Sequence, residues 1–199
     1  IKALSNKAKF IDNFNEKIVT PYQHVNSYMV NGENFEAYPN RDSLPYIQEY
    51  LLPNEWKIKD FIRGTLRLNG WTDAWKDIFT MLENPSKDLD KDIQIKSDEL
   101  WSKYQYGKNE KDRVVLSVSL DALNNNNEIV WSGCYELDET GSGENTAMAL
   151  LVSITLTAGV DLILQNKLDP GVQAAPYTKS NIEYFFKILR NYNINIKKK

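Results

Sequence analysis

The stretch Arg113-Val-Val-Leu-Ser-Val-Ser-Leu120, followed by Asn124-Asn-Asn-Asn127 and Ile129-Val-Trp-Ser-Gly-Cys-Tyr-Glu-Leu137, decides the fold class. Apolar character alternates on both sides of the asparagine run, which is the period of a β-strand. Two such runs joined by turn-forming residues predict an antiparallel hairpin. The asparagines read as a low-complexity tip without chemistry. Downstream, Thr146 to Leu164 is apolar with few charges and predicts a mostly buried helix, despite its threonines and Gly159, closed by Asp169-Pro170-Gly171. Lys179 to Arg190 sets Ile182, Phe185, Phe186 and Leu189 at helical spacing after Ser180.

Upstream, Lys17 to Thr20 before Pro21 reads as a short strand entering a turn, and Ser27-Tyr-Met-Val30 as a strand ending at Asn31-Gly32. Tyr38 to Ser43 is a polar loop. Leu44 to Leu52 has helical spacing, with Ser43 as N-cap and Pro45 in the first turn. Lys59 to Leu68 reads as a strand stopped by Asn69-Gly70, and Trp71 to Leu82 as one amphipathic helix. Glu83 to Lys96 is charged and fits a loop or helix of a small insertion. Strands first with helices interspersed predict the α+β class: a mixed, largely antiparallel sheet with helices on one face and a short helical insertion.

The totals exclude several functions. A chain of 199 residues with 42% hydrophobic content suits one medium domain, alone or with a small insertion. Net charge is -3, which offers no chain-wide attraction for nucleic acid or anionic lipid, so neither is expected as a partner. The longest strongly apolar run, Ala147 to Val152, falls short of the roughly 20 residues that cross a bilayer, so no membrane is expected. One cysteine, Cys134, and one histidine, His24, exclude an internal disulfide and a four-ligand Cys/His zinc site; both are expected to be structural. The Ile start reads as an interior point of a longer polypeptide.

Three stretches offer chemistry. Asn40-Arg41-Asp42-Ser43 crowds an amide, a guanidinium and a carboxylate into a turn beside Tyr38, an arrangement suited either to an anion or to a helix cap with Arg41 on the surface. In Arg63-Gly-Thr-Leu-Arg67, strand parity puts both arginines on one face, where they repel unless acidic side chains or a polyanion lie between them. Gly64 would allow a close backbone approach. Thr140-Gly-Ser-Gly-Glu-Asn-Thr-Ala147 suggests a dinucleotide fingerprint, but Thr146 stands at the third glycine position and the acidic residue about 20 residues on lacks the strand that should precede it; a helix start that caps the sheet or touches a ligand is the better reading. Trp71 and Trp75, one helical turn apart, read as core.

Taken in order, Ala37-Tyr-Pro-Asn-Arg-Asp-Ser43 and Ile62-Arg-Gly-Thr-Leu-Arg-Leu-Asn-Gly-Trp71 are similar to the paired YPNRDS and RGTLRYxG(F/W) motifs of saccharopine dehydrogenases. Ser5 to Phe10, Lys111 to Val115, the start of the Thr146 helix and Gly171-Val172 also resemble family segments in the same order, so the resemblance spans nearly the whole chain. It departs from the pattern at Leu68, where the family has Tyr, and in a shorter insertion between Trp71 and Tyr106.

The resemblance implies the carboxyl-terminal, substrate-binding part of a glutamate-forming saccharopine dehydrogenase, with a mixed-sheet domain over 1–68 and 112–178, an insertion at 69–111, and a helix and basic tail at 179–199. It further implies NADP or NAD held by an amino-terminal Rossmann domain outside this chain, no cofactor or metal bound here, and no activity from this stretch alone. Saccharopine carries three carboxylates. The resemblance therefore casts Arg41 and Arg67 as clamps, with Asn40, Asp42, Arg63 and Thr65 beside them in the substrate loops. Saccharopine and glutamate are the implied small-molecule partners, a homodimer is one assembly compatible with it, and the location would be cytoplasmic or mitochondrial. A non-catalytic binding or assembly domain derived from the family, and a related amine dehydrogenase, stand as alternatives.

Overall fold

Turn chemistry sets the strand pairings of the first half of the chain. The computed structural model describes residues 1–143 and 145–199, which fall into two units, Ile1–Gln105 and Tyr106–Lys199, each with its own core. In the first unit β1 (Ala8–Asp12) and β2 (Asn15–Val19) form a hairpin over Asn13 and Phe14, both at positive φ. Then β3 (Asn26–Val30) turns into β4 (Glu33–Pro39) through Asn31 and Gly32 at φ 51° and 84°, which the Asn-Gly pair adopts at little steric cost.

After β4 the chain forms α1 (Pro45–Glu49), with its proline in the first turn as expected. Ser43 is not the N-cap; Leu44 holds that position and the Ser43 hydroxyl is drawn away to the N–H of Arg63. β5 (Gly64–Leu68) adds to the free edge of β4, in the order β3-β4-β5. It starts later than the sequence suggests because Phe61 bridges Ile11 of β1 and the Arg63 N–H is taken by Ser43, so the ladder with β4 begins at Gly64. A Cβ on Gly64 would meet Tyr38 O at 3.4 Å, ordinary contact rather than close approach.

The helix expected from Trp71 to Leu82 breaks into α2 (Trp71–Ala74) and α3 (Lys76–Glu83) at Trp75, whose φ and ψ are -104° and 9°. Trp71 meets Trp75 at 5.4 Å and Phe79 at 5.2 Å between ring centroids. With Leu4 and Tyr38 these rings make the unit's core, and full burial of such side chains is worth about 1.5–3 kcal/mol each. The charged segment that follows becomes α4 (Leu89–Lys103), capped by Asp88, whose carboxylate accepts from the Lys91 N–H at 3.3 Å.

In the second unit β6 (Arg113–Leu123) and β7 (Ile129–Thr140) form the hairpin predicted from their alternation. The asparagine tip builds the turn: Asn124 Oδ1 accepts from the N–H groups of Asn126 at 2.8 Å and Glu128 at 3.0 Å, and Asn127 sits at φ 62°. Against the hairpin lie α5 (Ala147–Leu164) and α6 (Lys179–Asn191); Leu137, Ile154, Leu189 and Ile194 form the core. β8 (Lys197–Lys198) pairs with β7. The helix and tail expected to trail the domain thus close its core.

The α+β class holds. Among the described residues the strands are spread over three small antiparallel sheets, with a parallel bridge between Lys9 and Asp42. The units also divide the chain differently from the segments read in the sequence, since residues 69–105 fall in the same unit as β3 to β5.

The burial expected of the long apolar helix is also corrected. α5 buries Ala147, Ile154, Ala158 and Leu162, but Met148, Val152, Leu156, Val160 and Ile163 on its other side are exposed, so the helix is not mostly buried. Apolarity on every side carries no period that would say how many faces are covered. The run-length argument fails with it: over 18 residues α5 has mean hydropathy 2.1 and is long and apolar enough to cross a membrane by length and composition, because Ser153, Thr155, Thr157 and Gly159 interrupt the run without making the helix polar.

Candidate functional site

The site begins where β4 leaves its sheet. The Asn40 N–H donates to Arg63 O at 2.8 Å, and the Lys9 N–H to Arg41 O at 2.9 Å. Ser43 is fully buried; its N–H donates to Lys9 O at 2.9 Å and its hydroxyl accepts from the Arg63 N–H at 3.0 Å. The loop is thus stitched between β1 and the lead-in to β5. Arg41 holds the left-handed region at φ 57°, uncommon for a residue with a long side chain, and that side chain is exposed.

The register then defines a face. Tyr38 pairs with Thr65 and Glu36 with Arg67, and continuing the ladder sets Asn40 opposite Arg63. Cross-strand partners share a face, so Asn40, Arg63, Thr65 and Arg67 lie on one side with Tyr38 and Glu36, as the parity of the two arginines requires. Four strand residues separate Arg63 from Arg67, about 13 Å at roughly 3.3 Å per residue.

Each guanidinium on this face is braced by aromatic rings. That of Arg63 lies 3.5 Å over the Tyr46 ring. Arg67 donates through Nη2 to the Tyr38 hydroxyl at 3.1 Å and stands 5.8 Å from the Tyr38 ring and 5.9 Å from the Trp71 ring. Tyr38 and Trp71 are themselves stacked at 5.0 Å. Such contacts hold a cation by about 0.5–1 kcal/mol near a surface without neutralising it.

Nearby carboxylates are otherwise engaged. Glu36, cross-strand from Arg67, accepts from the Thr72 hydroxyl at 2.5 Å, the Thr72 N–H at 2.6 Å and the Gly70 N–H at 2.7 Å. The hydroxyl bond first, then the backbone bonds, hold its pKa below the ordinary value. Asp42 accepts from the Leu44 N–H at 3.0 Å and lies 3.7 Å from Lys9 Nζ. Among the described residues no ion pair forms to Arg41, Arg63 or Arg67. Glu36 and Tyr46 were not singled out in the sequence, although Glu36 shares the parity of Tyr38 and Tyr46 follows the loop by a single helical turn.

The glycine-rich segment has a different use. Asp112 accepts from the Ala147 N–H at 2.6 Å through Oδ1 and from the Met148 N–H at 2.9 Å through Oδ2, and the Thr146 hydroxyl accepts from the Ala149 N–H at 3.1 Å. A Cβ on Gly141 would come within 2.4 Å of Asp112 Oδ1. The donors that would cradle a pyrophosphate are held by the chain's own carboxylate, so these residues do not fit a dinucleotide; Glu144 lies outside the described residues. His24 Nδ1 is 3.4 Å from Thr20 O, and Cys134 is half-buried with its sulfur 3.7 Å from the Ser117 hydroxyl. Neither makes a nucleophile and base pair among the described residues. No cluster of three or more metal-ligating side chains occurs among the described residues.

Fold and site together define a class: an α+β chain whose β4–β5 face carries aromatic-braced arginines that make no ion pair among the described residues. A family model described as the saccharopine dehydrogenase C-terminal domain matches residues 1–194, and the chain belongs to that family. Among solved structures it resembles apo histidine-tagged saccharopine dehydrogenase (L-Glu forming) from Saccharomyces cerevisiae, with a TM-score of 0.75 and 20% identity over 99% of this chain. The match covers 59% of the yeast chain, so this chain spans less than two thirds of that enzyme's length. No curated protein matches.

Proposed function

We propose that the chain is the substrate-binding portion of a dehydrogenase that interconverts saccharopine with glutamate and 2-aminoadipate 6-semialdehyde in lysine metabolism, using NADP or NAD held by a part of the longer protein outside this chain. The observation that carries this reading is the set of guanidiniums at Arg41, Arg63 and Arg67, which lack carboxylate partners among the described residues while the acids around them are bonded elsewhere. A ligand with three carboxylates supplies the missing charge. Family membership and the similarity to the yeast enzyme agree with it.

In this reading Arg41 and Arg67 bind carboxylates, while Asn40, Arg63 and Thr65 orient the rest of the molecule and Asp42 holds the loop by its bond to Leu44. The nicotinamide supplies the hydride chemistry at the carbon attached to the bridging nitrogen. The location proposed is cytoplasmic.

Calorimetric titration of the 199-residue chain with saccharopine, glutamate and lysine tests the proposal. Affinity is expected to fall in that order, with carboxylate number. Removing a charged hydrogen-bonding partner costs about 1.5–3 kcal/mol, roughly 10- to 150-fold in affinity, so Arg41→Ala with Arg67→Ala should abolish measurable saccharopine binding. A double variant that binds as tightly as the parent removes the site.

A further inference from the structure

The second unit holds a groove that the reading above does not use. It lies along the outer face of α6, has a volume of about 660 Å³ and is lined by Lys167, Ser180, Glu183, Tyr184, Lys187 and Arg190 among others. That volume falls in the ordinary range for small-molecule sites, about 300–1,000 Å³.

The groove follows from helical spacing. Ser180, Glu183, Tyr184, Lys187 and Arg190 recur at three- and four-residue intervals, so one helix stripe forms the floor. Lys167 reaches it from the connection after α5: its carbonyl accepts from Asn181 Nδ2 at 3.0 Å, and its Nζ stands 5.7 Å from the Tyr184 ring. The buried Asn181 thus joins the connection to the helix and sets the backbone position of Lys167.

Charge is unbalanced there. Three cations, Lys167, Lys187 and Arg190, face one carboxylate, Glu183, which is 3.9 Å from Lys179 Nζ. Among the described residues none of the three makes an ion pair. Thr178 caps α6 by accepting from the Asn181 N–H at 3.3 Å, and the hydroxyls of Thr178 and Ser180 border the same end of the groove.

We propose that this groove is a second anion site, separate from the β4–β5 face, which takes a small molecule bearing closely spaced phosphate groups. Closely spaced charge is favoured because Lys187 and Arg190 are one helical turn apart, and Lys167, over the Tyr184 ring, lines the same groove. Tyr184 adds a flat apolar surface for the organic part of such a ligand.

The test is titration of the 199-residue chain with inorganic pyrophosphate, ATP and citrate at constant ionic strength. Saturable binding of pyrophosphate and ATP is expected; citrate, whose three carboxylates also suit the β4–β5 face, is compared in the Arg41→Ala, Arg67→Ala variant, where it should bind more weakly than pyrophosphate. Lys187→Ala with Arg190→Ala should weaken pyrophosphate binding about tenfold or more, Glu183→Gln should strengthen it, and Arg41→Ala with Arg67→Ala should leave it unchanged. The proposal is overturned if binding does not saturate, if the Lys187 and Arg190 variant binds as the parent does, or if the Arg41 and Arg67 variant loses it. Binding of a poly-glutamate peptide without binding of pyrophosphate also overturns it and makes the groove a protein-docking surface. Because the two sites share no residue, failure here leaves the saccharopine titration standing, and the reverse.

Discussion

Ser43→Ala probes the join between fold and site. Ser43 is fully buried, and its hydroxyl is the acceptor that the structure provides for the N–H of Arg63 at 3.0 Å. Alanine fits the space but leaves that N–H unsatisfied, at a cost of about 1–3 kcal/mol. The vacated volume is roughly that of one oxygen atom, and at about 24 cal/mol per Å³ of cavity it adds only a few tenths. The net expectation is about 2 kcal/mol, a large share of a stability that for most domains is about 5–15 kcal/mol. Hydrogen exchange read by NMR at the Arg63 amide is the direct assay: loss of this bond should speed exchange roughly 30-fold, the factor that 2 kcal/mol represents. Urea unfolding gives the global value. Ser5→Ala serves as control, since its hydroxyl makes an exposed bond to Lys2 O and should change stability by less than about 0.5 kcal/mol. An Arg63 amide that exchanges no faster in Ser43→Ala would refute the claim that this hydroxyl pins the start of β5.

Further substitutions test other joints. Asp112→Ala removes the acceptor of two N–H groups at the start of α5 and should cost about 1–2 kcal/mol in urea unfolding; a loss below about 0.5 kcal/mol would mean that Thr146 alone suffices. Glu36 has a folded pKa below its ordinary 4.5, chiefly through the Thr72 hydroxyl, so its stabilisation is complete above that pH and disappears as pH falls through the folded value. The stability gap between parent and Glu36→Gln should accordingly narrow as pH falls below the ordinary value and through the folded one, and a gap that widens on acidification contradicts the assignment. Gly133→Val builds a Cβ at 2.6 Å from the Trp131 ring, so that ring must leave the glycine it covers, visible as a shifted indole N–H resonance; an unmoved resonance would show that the ring does not lie there.

Local patterns carried much of this fold in the sequence. The alternation around Asn124 to Asn127, the Asn31-Gly32 turn and the spacing of Ile182 to Leu189 each specify an element through neighbours a few residues apart, and those elements formed. Features that depend on distant partners were not legible. The Ser43 hydroxyl serves Arg63 across twenty residues and Asp112 caps a helix thirty-five residues away, so their assignment waited on the pairing of β4 with β5 and the placing of α5. Coverage of α5 was misread because an apolar helix has no periodicity to report which side meets the core. For the candidate site, the parity of Arg63 and Arg67 was readable, whereas the commitment of Glu36 to the start of α2 was not.

The central claim is that guanidiniums on the β4–β5 face and its loop wait for carboxylates from outside the chain. Selective NMR of the arginine Nε–Hε groups during addition of saccharopine tests it most directly. Saturable shifts are expected at Arg41, Arg63 and Arg67, with Arg113 and Arg190 unmoved. Saccharopine that binds while those three resonances stay in place, or that shifts only arginines of the second unit, would contradict it.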